Sequence, residues 1–156
     1  MRQVLKLLTL LLLISASCKT ANNTKQTKQA MTTETENMTK QTLAAVENFN
    51  SAVNPHDIDA VMNAMTEDCV FENTNPPPDG GRFVGADAVR SFWQKFFASN
   101  PDAVFESEEI IATGDRCVVR WIYRKTKDGK PWHLRGVDVF RIRNGKVAEK
   151  LAYVKG

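Results

Sequence analysis

WHLRGVDVFRIRNGK, running from Trp132 to Lys146, alternates as a β-strand does. Trp132, Leu134, Gly136, Asp138, Phe140 and Ile142 fall on one face, and His133, Arg135, Val137, Val139 and Arg141 on the other. The apolar face is the inner one, so it carries a carboxylate, Asp138, while the cations take the outer side. The segment ends at Asn144-Gly145, a hairpin signal between alternating runs.

Working outward, Gly114-Asp115 and Asp128-Gly129 punctuate the preceding chain in the same way. Four strands are predicted, over about 103–112, 117–126, 131–143 and 146–154, forming an antiparallel meander. Val119, Trp121 and Tyr123 should join Asp138 inside, and Arg120 and Arg124 should join Arg135 and Arg141 outside.

Upstream, Leu43, Val46, Phe49 and Val53 recur at helical spacing until Asn54-Pro55 breaks the run. Asp57 is placed to cap a short second helix with Ile58, Val61, Met62 and Met65 inward. The segment DCVFENT reads as a strand. NPPPDGGRFVG, rich in Pro and Gly, reads as a loop. Val89, Phe92, Trp93, Phe96 and Phe97 form the apolar stripe of a third helix. The expected fold class is α+β, with three N-terminal helices packed in a strongly curved antiparallel sheet. His56 and His133 are read as surface residues.

The 156 residues suit one folded domain, and 42% hydrophobic content is ordinary for one. The net charge of +3, with Lys and Arg scattered, excludes a nucleic-acid footprint, which needs clustered cations. Residues 1–18, MRQVLKLLTLLLLISASC, place Arg2 and Lys6 before an apolar run and small residues, as a secretory signal does. Ala16-Ser17-Cys18 is similar to a lipobox. This predicts a bacterial cell-envelope protein held to the membrane only by a lipid on Cys18. An ordinary signal-peptidase site at Ser15 and Ser17, giving a soluble periplasmic or secreted protein, is the alternative. Residues 19–38, rich in Thr, Lys, Asn and Gln, are expected to form a disordered tether to a domain spanning 39–156. Cys69 and Cys117 are read as buried thiols, an exported compartment also permitting a disulfide. Two Cys and two distant His make a poor zinc site, and no metal or cofactor is expected.

The order of elements, with HDIDAVMNAMTEDCVFEN, GRFVGADAVRSFW and the closing VDVFRIRNGKVAEKLAYVKG, resembles the SnoaL-like branch of the nuclear transport factor 2-like superfamily. The similarity covers about residues 39–156. It implies a cone-shaped α+β barrel with a pocket at its open end, and frequent homodimers. Asp138 matches a pocket acid of ketosteroid isomerase-like members, which stays protonated and donates a hydrogen bond. The general-base carboxylate of those enzymes falls on Asn73, and their pocket tyrosine falls on Phe49. Neither replacement performs the original task.

The sequence therefore predicts a small-molecule site lined by Phe49, Asn73, Trp93, Phe97, Trp121, Asp138 and Phe140. Its ligand would be mostly apolar and oxygen-bearing. Asp138 and Asn73 are the candidate catalytic pair, polarising a carbonyl for isomerase, cyclase or dehydratase-type chemistry. With neutral Asn73 as its expected neighbour, Asp138 should be held uncharged as a donor. A non-catalytic dimeric interaction module at the membrane surface is the competing reading.

Overall fold

Val46, Phe49 and Val53 share one helical face, and all three are buried where α1 (Arg2–Val53) meets the sheet. The computed structural model describes residues 2–155, with side chains from Gln26 onward. The signal-like segment and Cys18 thus lie outside the residues whose side chains are described. Among the described residues, no helix is long and apolar enough to cross a membrane. The chain divides into two units between Glu36 and Asn37. Residues 26–38 are helical rather than unstructured, because a helix satisfies its own backbone without a core. Thr32, Thr33 and Thr35 also donate to carbonyls four residues back.

Asp57 caps α2 (Ile58–Asn63) by accepting from the Ala60 backbone N–H at 2.9 Å. The helix is shorter than its apolar pattern suggests: Met65 already begins β1 (Met65–Glu72) and is buried from a strand. The Pro/Gly loop contains a short strand, β2 (Arg82–Val84), which pairs antiparallel with β1. Helix α3 (Ala86–Ser99) presents Val89, Trp93 and Phe97 to the core. The meander follows as β3 (Val104–Thr113), β4 (Arg116–Lys127), β5 (Lys130–Arg143) and β6 (Lys146–Val154).

The six strands run in the order β2-β1-β6-β5-β4-β3. The sheet is mixed, not antiparallel throughout, because β1 pairs parallel with β6. These strands are joined through the rest of the domain, a crossover long enough to permit a parallel pair. Register shifts between Met65 and Val70, Ser107 and Glu109, and Arg141 and Ile142 mark irregularities of the bulge type, which bend and coil a sheet. Helical residues of α1, α2 and α3 share one buried cluster with Phe71, Cys117, Val119 and Phe140 of the sheet. Thr42 donates to the Gly114 carbonyl at 2.8 Å, and the Gly114 N–H donates to the Thr39 hydroxyl at 2.9 Å. Both bonds tie α1 to the β3–β4 turn. His56 is half-buried rather than superficial. Its ring stacks on Phe97 with centroids 4.4 Å apart, and Nε2 lies 3.3 Å from the Ala103 carbonyl.

On the outer face three arginines are neutralised in place. Arg120 pairs with Glu109 at 2.8 Å, Arg124 with Glu106 at 3.0 Å and Arg135 with Glu108 at 2.7 Å. All three acids come from β3, where Glu109 stands directly opposite Arg120 of β4.

Gly136 stands opposite Trp121 in the ladder. A Cβ there would lie 2.3 Å from the Tyr153 carbonyl oxygen and 2.4 Å from Trp121 Cζ2, so the indole occupies the space a side chain would need. Gly136→Ala is expected to destabilise the fold by about 1–3 kcal/mol, through overpacking against backbone. Thermal unfolding checks this, and an unchanged midpoint contradicts it.

Cys69 and Cys117 are buried free thiols. Burial pushes Cys117 up to about 11 and raises Cys69 as well. The folded thiol therefore keeps its proton where an unfolded one, with its ordinary value of 9.0, has lost it. The unfolded state binds fewer protons in that window, so stability falls as pH rises from about 9 toward 11. Urea midpoints of the wild type should fall across that range more steeply than those of Cys117→Ala; parallel slopes would contradict the assignment.

Candidate functional site

Asp138 and Lys150 form the floor of the site. Asp138 on β5 stands opposite Ala152 of β6, and Phe140 opposite Lys150. Lys150 is therefore the diagonal neighbour of Asp138 on the inner face, within reach of a long side chain. Lys150 Nζ lies 2.8 Å from Asp138 Oδ2, with both side chains only 8% exposed. The neighbour of Asp138 is therefore not the neutral amide expected from the sequence but a lysine from the adjacent strand. The Lys150 ammonium also lies 5.0 Å from the Phe71 ring centroid and 5.8 Å from that of Phe140.

A cavity of about 910 Å³ opens above this pair. Its aromatic walls come from three directions. Helix α1 contributes Phe49, and α3 contributes Phe92, Trp93 and Phe96. The sheet contributes Phe71, Phe83, Phe105, Trp121, Tyr123 and Trp132. Neighbouring rings interlock edge-on or tilted, as in Phe49–Trp93 at 6.1 Å and Phe105–Trp121 at 5.9 Å.

Of the residues expected to line the pocket, Phe49, Asn73, Trp93, Trp121 and Asp138 do so. Phe97 and Phe140 do not. Phe97 turns to His56, and Phe140 lies fully buried behind Phe49, centroids 5.8 Å apart. Asn73 borders the cavity, yet its side-chain oxygen accepts from the Gly81 N–H at 2.6 Å and the Asn75 N–H at 3.3 Å. It thereby anchors the loop between β1 and β2, and Asp138's partner is Lys150 instead. Sequence reasoning missed Lys150, although Ala148-x-Lys150-x-Ala152 was a usable signal. Small residues on either side of one long cation leave it room on an inner face.

At the β4 end of the cavity, Tyr123 donates to Asn100 Oδ1 at 3.2 Å, and Lys125 Nζ donates to the same oxygen at 2.9 Å. Burial, and secondarily the Asp102 charge, push the Tyr123 phenol up to about 12, so it remains a neutral donor.

The cavity has one further chemical property. Among the described residues, Asn50 Nδ2, Trp93 Nε1, Trp121 Nε1 and Asp138 Oδ1 are the buried side-chain polar atoms without a hydrogen-bond partner. All four belong to residues that line this cavity. Leaving such an atom unsatisfied costs about 1–3 kcal/mol. Three donors and one acceptor thus remain unused around one apolar space.

Among curated proteins, none matches the chain. Solved structures do. A nuclear transport factor 2-like protein of unknown function from Mesorhizobium loti is 36% identical, with a TM-score of 0.65, over 76% of this chain and 93% of its own. A candidate polyketide cyclase from Sinorhizobium meliloti is 25% identical, with a TM-score of 0.59, over 70% and 93%. Another, from Xanthomonas campestris, shares the fold at 20% identity and a TM-score of 0.61, over 76% and 93%. The sequence profile of the SnoaL-like domain matches residues 46–150, which contain both members of the buried ion pair. With that span and the Mesorhizobium relative, the chain belongs to the SnoaL-like family of nuclear transport factor 2-like proteins.

Proposed function

We propose that this domain binds a small, mostly apolar molecule bearing oxygen, held between the aromatic walls and oriented by Asp138, Lys150 and the free indole and amide N–H groups. The observation that carries the reading is the gathering of the unpartnered buried polar atoms around one cavity. Sites of this kind join apolar walls to a few placed polar groups. A closed, dry core would have favoured the interaction-module reading instead.

The pair at 2.8 Å also supports proton-transfer chemistry next to a carbonyl. The Asp138 carboxylate has a free oxygen to take a proton, and the Lys150 ammonium stabilises negative charge developing on the ligand oxygen. Asn73, its oxygen engaged by the loop, gives up the catalytic place to Lys150. Isomerase or cyclase-type activity fits this arrangement, and relatives named as candidate polyketide cyclases agree with it.

Export, with lipid attachment at Cys18, remains our reading of residues 1–18. We also propose a homodimer through the outer sheet face. Ile111, Val118, Val139 and Leu151 stand opposite one another in register across four strands, away from the cavity. Ile111 is 57% exposed, and Tyr153, on the same face of β6, is 52% exposed. Sedimentation of the full chain should give a dimer that Val139→Glu converts to a monomer; a wild-type monomer at high concentration contradicts this.

Removing one member of a buried pair strands the other. Lys150→Met is therefore expected to destabilise the protein by about 3–5 kcal/mol. The double change Asp138→Leu with Lys150→Met should recover most of that loss. It should also abolish binding of oxygen-bearing aromatics, read as quenching of tryptophan fluorescence. A double variant that still binds them as the wild type does would refute the assigned role of the pair.

A further inference from the structure

The charged groups lining the cavity are Lys95, Lys125, Lys150 and Asp138, so three lysines face one carboxylate. Lys150 and Asp138 neutralise each other, which leaves two positive charges from Lys95 and Lys125. Elsewhere every described arginine but Arg141 is paired, while Lys28, Lys40, Lys127, Lys130, Lys146 and Lys155, which form no ion pair, are exposed and do not line the cavity. Arg82, Arg90, Arg116, Arg120, Arg124, Arg135 and Arg143 each form an ion pair with an acid. Among the described residues, Lys95 and Lys125 form none. The nearby carboxylate that feels Lys125 is Asp102. It is exposed, does not line the cavity, and is held low first by hydrogen bonds from Thr126 and only in smaller part by Lys125.

Exposure grades these lysines along the cavity. Lys150 is buried, Lys125 half-buried and Lys95 exposed. The unpaired charges therefore stand toward solvent, above the neutral pair. Lys125 Nζ also lies 5.9 Å from the Tyr123 ring centroid and 5.8 Å from that of Trp132. An anionic group reaching Lys125 would thus rest beside aromatic surface, with the rest of its molecule continuing between the rings below.

Resting on the ligand-binding reading above, we infer that the cavity selects aromatic anions, with a carboxylate or other acidic group at Lys125 and Lys95 and the apolar body directed toward Asp138 and Lys150. A cavity rim with uncompensated positive charge attracts anions and draws them in from solution, and that attraction is screened by salt.

Isosteric pairs of naphthyl and biphenyl carboxylates and their amides, titrated against the full chain by tryptophan fluorescence, test this. The carboxylates should bind about tenfold more tightly than the amides at low salt. Raising salt to about 0.5 M should erase most of the difference. Lys125→Met combined with Lys95→Met should bring the affinity for each carboxylate down to that for its amide. Equal binding of acid and amide, or a preference that survives the double substitution, overturns the anion assignment while leaving ligand binding intact. Failure of every carboxylate and amide to bind overturns both.

Discussion

An ammonium and a carboxylate have been taken out of water together, on adjacent strands, under a roof of aromatic rings. Desolvating such ions costs several kcal/mol each, and their attraction offsets this only when geometry is good and the remaining valences find partners. Here the geometry is good, at 2.8 Å, but the valences are incomplete. Asp138 Oδ1 has no partner, and aromatic faces flank the Lys150 ammonium. The surrounding structure is arranged around this pair. Ala148 and Ala152 leave space for the lysine on the inner face of β6, and Gly136 lets the Trp121 indole lie across β5. A fold carrying this destabilising feature is explained when an added molecule completes it.

Charge is distributed differently on the two sides of the sheet. Outside, arginines meet glutamates across β3, β4 and β5, and such exposed pairs contribute little to stability individually. They leave a surface with most of its arginines paired and an apolar row crossing it, which suits contact with a second copy. Inside, lysines replace arginines, and two of them lack an acid. The choice of cation matches the task. Arginine's planar fork suits fixed bidentate pairing, while lysine's compact charge on a flexible stem suits a group that meets a variable ligand.

Much of the architecture was legible in the sequence, because its signals were local. Period-two alternation with Asp-Gly and Asn-Gly turns located the β3–β6 meander to within a few residues. The Asp57 cap fixed the start of α2. What escaped depended on contacts distant in sequence. The parallel β1–β6 pair and the short β2 strand have no periodic signature of their own. The inner-face position of Asp138 followed from alternation, whereas its partner depended on β5–β6 register, which a two-residue turn hinted at but a bulge near Arg141 modified. Asn73 borders the cavity, but its loop contacts had no signature of their own. Its side chain is committed to Gly81 and Asn75, and such a loop anchor looks in sequence like any polar residue at the end of a strand.

The central claim is that the Asp138–Lys150 pair is an incomplete polar site waiting for a ligand group. A high-resolution crystal structure of the protein soaked with an aromatic carboxylate that carries a hydroxyl on its ring system tests it most directly. The account predicts ordered density between the rings, with a ligand atom or a bridging water within hydrogen-bonding distance of Asp138 Oδ1. A cavity that stays empty, with Oδ1 bonded instead to the Asn50 amide or the Trp121 indole, would contradict it.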